Sequence, residues 1–165
     1  MGFQVAAIAR GSEKESLAKK LGAHHYIDSN GQDPVAALQA LGGARLILAT
    51  AANSKSMSPL LGGLAPRGQL IVAGAGGDEP VSINPVPLLF GMRSLAGTMT
   101  GSSIDAEDTC LPRPLRSRRR QALSFSSLQQ IRPMIETVPL ANAAEAYGRR
   151  MRNEARFRIV LVTGQ

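Results

Sequence analysis

Short apolar runs and amphipathic segments alternate along most of this chain, and their order is the feature that most limits its fold. Residues 5–9 are all apolar and are closely followed by Gly11, as in a strand that is buried on both faces. Further strand candidates follow at 24–28, 45–50, 69–73 and 93–98. Strands that alternate with helices predict βαβ units with right-handed crossovers. We therefore predict an α/β fold in which helices flank a mostly parallel sheet.

Local capping signals predict where the helices begin. Ser12 and Glu15 have the spacing of a capping box and predict a helix over 13–21. Asp33 followed by Pro34 is typical of the start of a helix, because proline fits the first helical position. The remaining patterns predict helices over 54–64, 85–90 and 141–151, and a last strand over 156–162.

The length and composition favour one domain over residues 1–165. A chain of 165 residues with 44% hydrophobic content can bury a core of its own. The pattern fails at 110–122, where prolines and a run of arginines predict a disordered or aberrant insertion. No apolar run reaches the roughly 18 residues that span a bilayer, and no secretion signal is visible. We expect a soluble cytoplasmic protein without a membrane partner.

The net charge of +7 raises the question of a nucleic-acid partner. Six of the 19 basic residues lie between positions 113 and 132, and no aromatic residue is interleaved with the arginine run at 116–120. We therefore expect no nucleic-acid partner. Cys110 is the only cysteine, and His24 and His25 would point to opposite faces of a strand, so no metal site is expected within this chain.

Four segments in a fixed order carry a family resemblance. They read Ala-Arg-Gly-Ser-Glu-Lys at 9–14, Leu-Gly-Ala-His-His-Tyr-Ile-Asp at 21–28, Leu-Ala-Pro-Arg-Gly-Gln-Leu-Ile-Val at 64–72 and Glu-Ala-Arg-Phe-Arg-Ile-Val-Leu at 154–161. With them the chain resembles the cofactor domain of zinc-type alcohol dehydrogenases, in the medium-chain dehydrogenase/reductase superfamily. The resemblance covers nearly the whole chain except about 110–122. It implies a Rossmann-like fold that binds NAD(H) or NADP(H) for hydride transfer between alcohols and aldehydes.

The resemblance also implies parts that this sequence does not show. In that family a zinc-bearing domain, a first strand and a Gly-rich phosphate turn precede the strand that resembles residues 5–9. We expect a truncated cofactor-binding portion that has no catalytic residue, does not bind the zinc of complete relatives, and is weak or inactive alone. Two alternatives stay open: a fragment of a zinc-independent quinone or enoyl reductase, and a non-catalytic remnant that dimerises. The resemblance implies a homodimer contact through strand 93–98.

The end of the first predicted strand carries the best candidate for cofactor selection. Arg10 lies where dinucleotide folds place the group that meets the ribose 2′ position, and its planar cation suits a 2′-phosphate. Gly11 and Ser12 are small neighbours that could add N–H and hydroxyl donors. The resemblance places Lys14 near the same ribose. This set favours NADP(H) over NAD(H), while the alternatives are a solvated arginine and a lysine paired with a nearby glutamate.

Small residues end the next strands of the predicted sheet. Thr50 and Ala51 follow one strand, and Gly74 and Ala75 follow another, at the edge where open α/β sheets bind ligands. They predict a surface for the flat nicotinamide or adenine ring, although ordinary βα turns have the same composition. The resemblance places Arg158 at the cofactor pyrophosphate.

Overall fold

A computed structural model describes residues 2–51, 53–74, 79–98, 125–152, 154–155 and 157–164. The insertion predicted at 110–122, and the candidate Ala75, lie outside the described residues. The chain divides into two compact units, Met1–Thr100 and Gly101–Gln165. Each unit is described by itself, and the prediction of one domain over 1–165 stays a prediction.

The described residues of the first unit form five strands that pair only in parallel. They are β1 (Ala6–Ala9), β2 (His25–Asp28), β3 (Ala44–Ala49), β4 (Leu64–Val72) and β5 (Ser94–Gly97). β1 pairs with β2, and β4 lies between β3 and β5. The predicted parallel arrangement is confirmed, and the strand ends carry the candidate site.

Four helices connect these strands in the order that the sequence predicts. They are α1 (Glu15–Lys20), α2 (Pro34–Ala40), α3 (Ser54–Met57) and α4 (Pro85–Gly91), with 3-10 turns at Ser12–Lys14 and Ser58–Gly63. The helix start at Asp33 is confirmed, because its side chain accepts a hydrogen bond from Val35 N at 3.0 Å. The helix predicted over 54–64 instead changes to 3-10 geometry after Met57.

The capping box predicted for Ser12 and Glu15 is wrong. The 3-10 turn that begins at Ser12 and the helix that begins at Glu15 both lack a side-chain cap hydrogen bond. Glu15 pairs instead with Lys19, one helical turn later, at 2.7 Å. The tight 3-10 turn separates Ser12 from the helix that it was expected to cap.

One hydrophobic core joins the strand pair β1–β2 to the sheet β3–β4–β5. Its buried members come from strands and helices of the first unit: Ile27, Leu38, Ile47, Ala49, Met57, Leu61, Leu64 and Leu70. Ala6 and Ile8 of β1 pack against this cluster. Helix α2 packs on β2 and β4, as in a βαβ crossover.

The described residues of the second unit include a short helical stretch at 125–128 and a parallel strand pair with a helix between its strands. The strand pair and its connection comprise β6 (Ile135–Pro139), a 3-10 turn at Leu140–Asn142, α5 (Ala143–Met151) and β7 (Arg158–Val162). Glu136 of β6 forms an ion pair with Arg149 of α5 at 2.6 Å, with both side chains about one third exposed. None of the helices in the described ranges is long and apolar enough to cross a membrane.

Candidate functional site at the strand ends

Gly11 is the centre of the turn that follows β1. Its φ of 86° lies in the left-handed region, which favours glycine. Its N–H donates to Asp28 Oδ1 at 2.8 Å, and the Tyr26 hydroxyl donates to its carbonyl oxygen at 2.5 Å. Two side chains of β2 therefore hold both neighbouring peptide groups of Gly11. Tyr26 and Asp28 are not among the predicted site residues, although Asp28 ends a predicted strand at the edge where open α/β sheets bind ligands.

Arg10 and Lys14 differ in whether their charged groups have partners among the described residues. The Arg10 side chain is exposed and has no hydrogen bond or ion pair to the part of the chain that the structure describes. Lys14 Nζ donates to Arg10 O at 2.6 Å and lies 3.0 Å from Glu13 Oε1. The pairing of Lys14 with a nearby glutamate is thus observed. Ser12 begins the 3-10 turn beside these charges.

Two ionisable groups of this turn have shifted pKa values. The hydrogen bond from Lys14 lowers the pKa of Glu13, so the carboxylate is favoured. Desolvation raises the pKa of Tyr26, and the charge of Asp28 adds to the rise. The Tyr26 hydroxyl therefore keeps the proton that it donates to Gly11. Among the described residues of this turn, Arg10 is the cation without a partner in the chain, and it is therefore available for an external anion.

Thr50 and Gly74 bring two strand ends into direct contact. The N–H groups of Ala73 and Gly74 both donate to Ala49 O, at 2.9 and 3.2 Å. A β-carbon on Gly74 would collide with the carbonyl group of Thr50, so a side chain does not fit there. Thr50 and Ala51 are exposed. Small residues thus stand at both strand ends, and their contact with a planar ring stays a prediction.

The segment that returns after Gly74 is fixed to α3. Ser54 Oγ donates to Glu79 O at 2.8 Å, and Ser82 N donates to Ser58 Oγ at 3.0 Å. Lys55 adds an exposed ion pair with Glu79 at 3.1 Å. These polar contacts, which the sequence does not reveal, hold residues 79–82 against residues 54–58.

Arg158 belongs to the second unit, as the first residue of β7. It is exposed and lies opposite Ile135 in the register of β6 and β7. Its contact with a pyrophosphate stays a prediction.

The described residues do not fit a zinc ion. No group of three His, Cys, Asp or Glu side chains within the described ranges could hold a metal. His24 Nδ1 instead accepts a hydrogen bond from Val5 N at 3.1 Å. No zinc chemistry is assigned to these residues.

Comparisons with known proteins agree with the fold. Residues 1–113 match the zinc-binding dehydrogenase family. Alcohol dehydrogenase patD of Penicillium expansum is 38% identical over 161 residues, which are 97% of this chain and 43% of that protein. The chain thus spans less than half the length of this relative.

Solved structures show the same architecture. An alcohol dehydrogenase zinc-binding domain protein from Burkholderia ambifaria has a TM-score of 0.79 at 21% identity, over 98% of this chain and 42% of that one. A zinc-binding dehydrogenase from Sinorhizobium meliloti 1021, bound to NADP, has a TM-score of 0.67 at 20% identity, over 87% of this chain and 40% of that one. These likenesses confirm the predicted Rossmann-like fold.

Proposed function

Because the chain belongs to the zinc-binding dehydrogenase family, we propose that it is the nicotinamide-dinucleotide-binding part of an alcohol dehydrogenase. Curated relatives that carry the name alcohol dehydrogenase support this proposal over a quinone or enoyl reductase. The complete enzyme would transfer hydride between an alcohol and an aldehyde in the cytoplasm. For these 165 residues alone the proposed function is cofactor binding, and robust zinc-dependent alcohol oxidation by them would contradict it.

The observation that carries the proposal is the exposed Arg10 guanidinium on a turn of fixed backbone. Gly11 is held by Asp28 and Tyr26, so the direction in which Arg10 leaves β1 is set before a ligand arrives. A guanidinium binds phosphate through two parallel hydrogen bonds. We therefore propose that Arg10 binds the 2′-phosphate of NADP(H), which is favoured over NAD(H).

The same edge supplies a place for a planar ring. The exposed residues Thr50 and Ala51, beside the close approach of Gly74 to the Thr50 carbonyl group, support contact with the nicotinamide. The bound cofactor supplies the hydride chemistry, and these residues orient it. Arg158 is the proposed phosphate contact from the second unit.

The proposal is tested by fluorescence titration of the full chain with NADPH and NADH. Arg10→Ala should weaken NADPH binding by about 10- to 100-fold, because it removes a charge-assisted hydrogen-bond pair, and should change NADH binding much less. Arg45→Ala is the matched control, since Arg45 is an exposed arginine near the amino end of β3. The proposal fails if the chain binds neither nucleotide, or if both variants weaken NADPH equally.

A homodimer through strand 93–98 is the second proposal, and one surface favours it. β5 pairs with β4 on one side and has no partner strand on the other among the described residues. The adjacent helix α4 leaves Leu89 and Phe90 exposed at 74% and 82%. An unpaired strand edge beside exposed apolar side chains is a surface that a second chain can cover.

A further inference from the structure

The Glu13 carboxylate folds back onto the turn that the proposed function assigns to the cofactor. A β-carbon on Gly11 would collide with both carboxylate oxygens and the carboxyl carbon of Glu13. The carboxylate therefore occupies the space that a side chain at Gly11 would fill. A negative charge thus lies against Gly11, the residue that follows the Arg10 proposed to meet the ribose.

Lys14 holds Glu13 in this place. Lys14 Nζ lies 3.0 Å from Glu13 Oε1, and it also donates to the carbonyl oxygen of Arg10. The two side chains are 55% and 68% exposed, so the pair is weak and can open when a ligand competes for it. Before a ligand binds, the charge of Lys14 is therefore neutralised by Glu13.

We infer that Glu13 is a specificity-determining residue that reduces the preference for a 2′-phosphate over a 2′-hydroxyl. The inference rests on the proposed function and adds a residue that acts against Arg10. A 2′-phosphate must displace Glu13 from Lys14 and lie beside a like charge, whereas a 2′-hydroxyl can donate to the same carboxylate. Selection between the two ribose forms is then a balance of an attractive and a repulsive group.

The test compares adenosine 2′,5′-bisphosphate with adenosine 5′-monophosphate, which differ only in the 2′-phosphate. The measured quantity is the affinity for the bisphosphate divided by the affinity for the monophosphate, both from calorimetric titration. Glu13→Gln should raise this ratio by roughly three- to tenfold, and rising salt should reduce the gain. Glu15→Gln is the matched control, because it breaks the Glu15–Lys19 pair of 2.7 Å with the same change of charge. It should leave the ratio within about twofold of the unsubstituted chain.

A double variant shows whether the effect passes through Lys14. In Glu13→Gln/Lys14→Met the gain of Glu13→Gln should be largely lost, because no released ammonium remains to bind the phosphate. An unchanged ratio in Glu13→Gln, or an equal change in Glu15→Gln, overturns this inference while the proposed function stands. A chain that binds neither nucleotide overturns the proposed function and this inference with it.

Discussion

At the scale of single residues, three constraints meet at Gly11. Its backbone is left-handed, side chains of β2 bond to its N–H and carbonyl groups, and a carboxylate lies against its α-carbon. The partners Tyr26 and Asp28 stand 15 and 17 positions later. Sequence reasoning finds Arg10 and Gly11 from their place at a strand end, but contacts over this separation depend on the pairing of β1 with β2.

Gly11→Ala should separate backbone strain from ligand binding. We expect a loss of about 1 kcal/mol in the free energy of unfolding, because alanine tolerates a positive φ poorly. Because the altered turn changes the direction in which Arg10 leaves β1, it should also weaken adenosine 2′,5′-bisphosphate binding by about three- to tenfold, as measured by calorimetry, although displacement of the Glu13 carboxylate acts in the opposite direction. Gly22→Ala is the control, with a φ of 103° and open space around its α-carbon. Equal effects of both variants on binding would contradict the assignment of the turn.

The Glu13–Lys14 pair predicts a particular pH dependence. The folded-state pKa of Glu13 is lowered, so the pair persists above the ordinary range of a glutamate and is lost as pH falls through the lowered pKa. Lys14→Met should raise the pKa of Glu13, because it removes the hydrogen bond that lowers it. NMR titration of side-chain carboxyl carbons measures this. Lys19→Met, which removes the partner of Glu15, should leave the pKa of Glu13 unchanged.

At the scale of elements, the features that depend on neighbouring residues were predictable from the sequence. The features that depend on contacts between distant residues were not. The helix start at Asp33 was found because cap and first helical residue are adjacent in sequence. Strand β6 was missed because its inward positions, Glu136 and Val138, combine a charged with an apolar residue. Glu136 pairs with Arg149 of α5, so a charged residue takes an inward position and the sequence of β6 does not alternate between polar and apolar residues. The 3-10 turn before α1 likewise replaced the expected capping box.

The coupling of β1 to β2 through Asp28 can be tested at this scale. Asp28→Ala should lower the free energy of unfolding by about 1–3 kcal/mol, because the N–H groups of Gly11 and Asn30 lose their acceptor. It should also weaken NADPH binding, since the turn loses its support. Asp33→Ala removes another carboxylate that accepts a backbone N–H and should cost about 1 kcal/mol without changing NADPH binding. Chemical denaturation and fluorescence titration distinguish these outcomes.

At the scale of the whole molecule, the described residues of the first unit form a candidate cofactor edge and a separate apolar surface. The candidate cofactor residues of the first unit follow the carboxyl ends of β1, β3 and β4. The apolar surface at Leu89 and Phe90 lies on α4, immediately before β5. The order of elements and the family were predictable from sequence, because they depend on periodicity and on a series of short segments. The polar contacts that shape the site became visible only with the tertiary structure.

If the proposed dimer forms, one substitution at its interface should halve the mass of the particle in solution. Phe90→Glu should convert a dimer into a monomer in analytical ultracentrifugation, because a buried charge at the interface is costly. Leu128→Glu is the control, since Leu128 is 80% exposed in the second unit. A monomeric unsubstituted chain, or dissociation by the control alone, would contradict a contact at this surface.

Mapping of nucleotide contacts tests the central claim most directly. Adenosine 2′,5′-bisphosphate is added to the isotopically labelled chain, and backbone amide shifts are followed by two-dimensional NMR. We expect the largest changes at Gly11, Ser12 and Lys14, and we expect Arg10→Ala to move the midpoint of the titration to a nucleotide concentration about 10- to 100-fold higher. Changes centred elsewhere, or no changes at saturating nucleotide, would contradict the assignment of this turn to the 2′-phosphate.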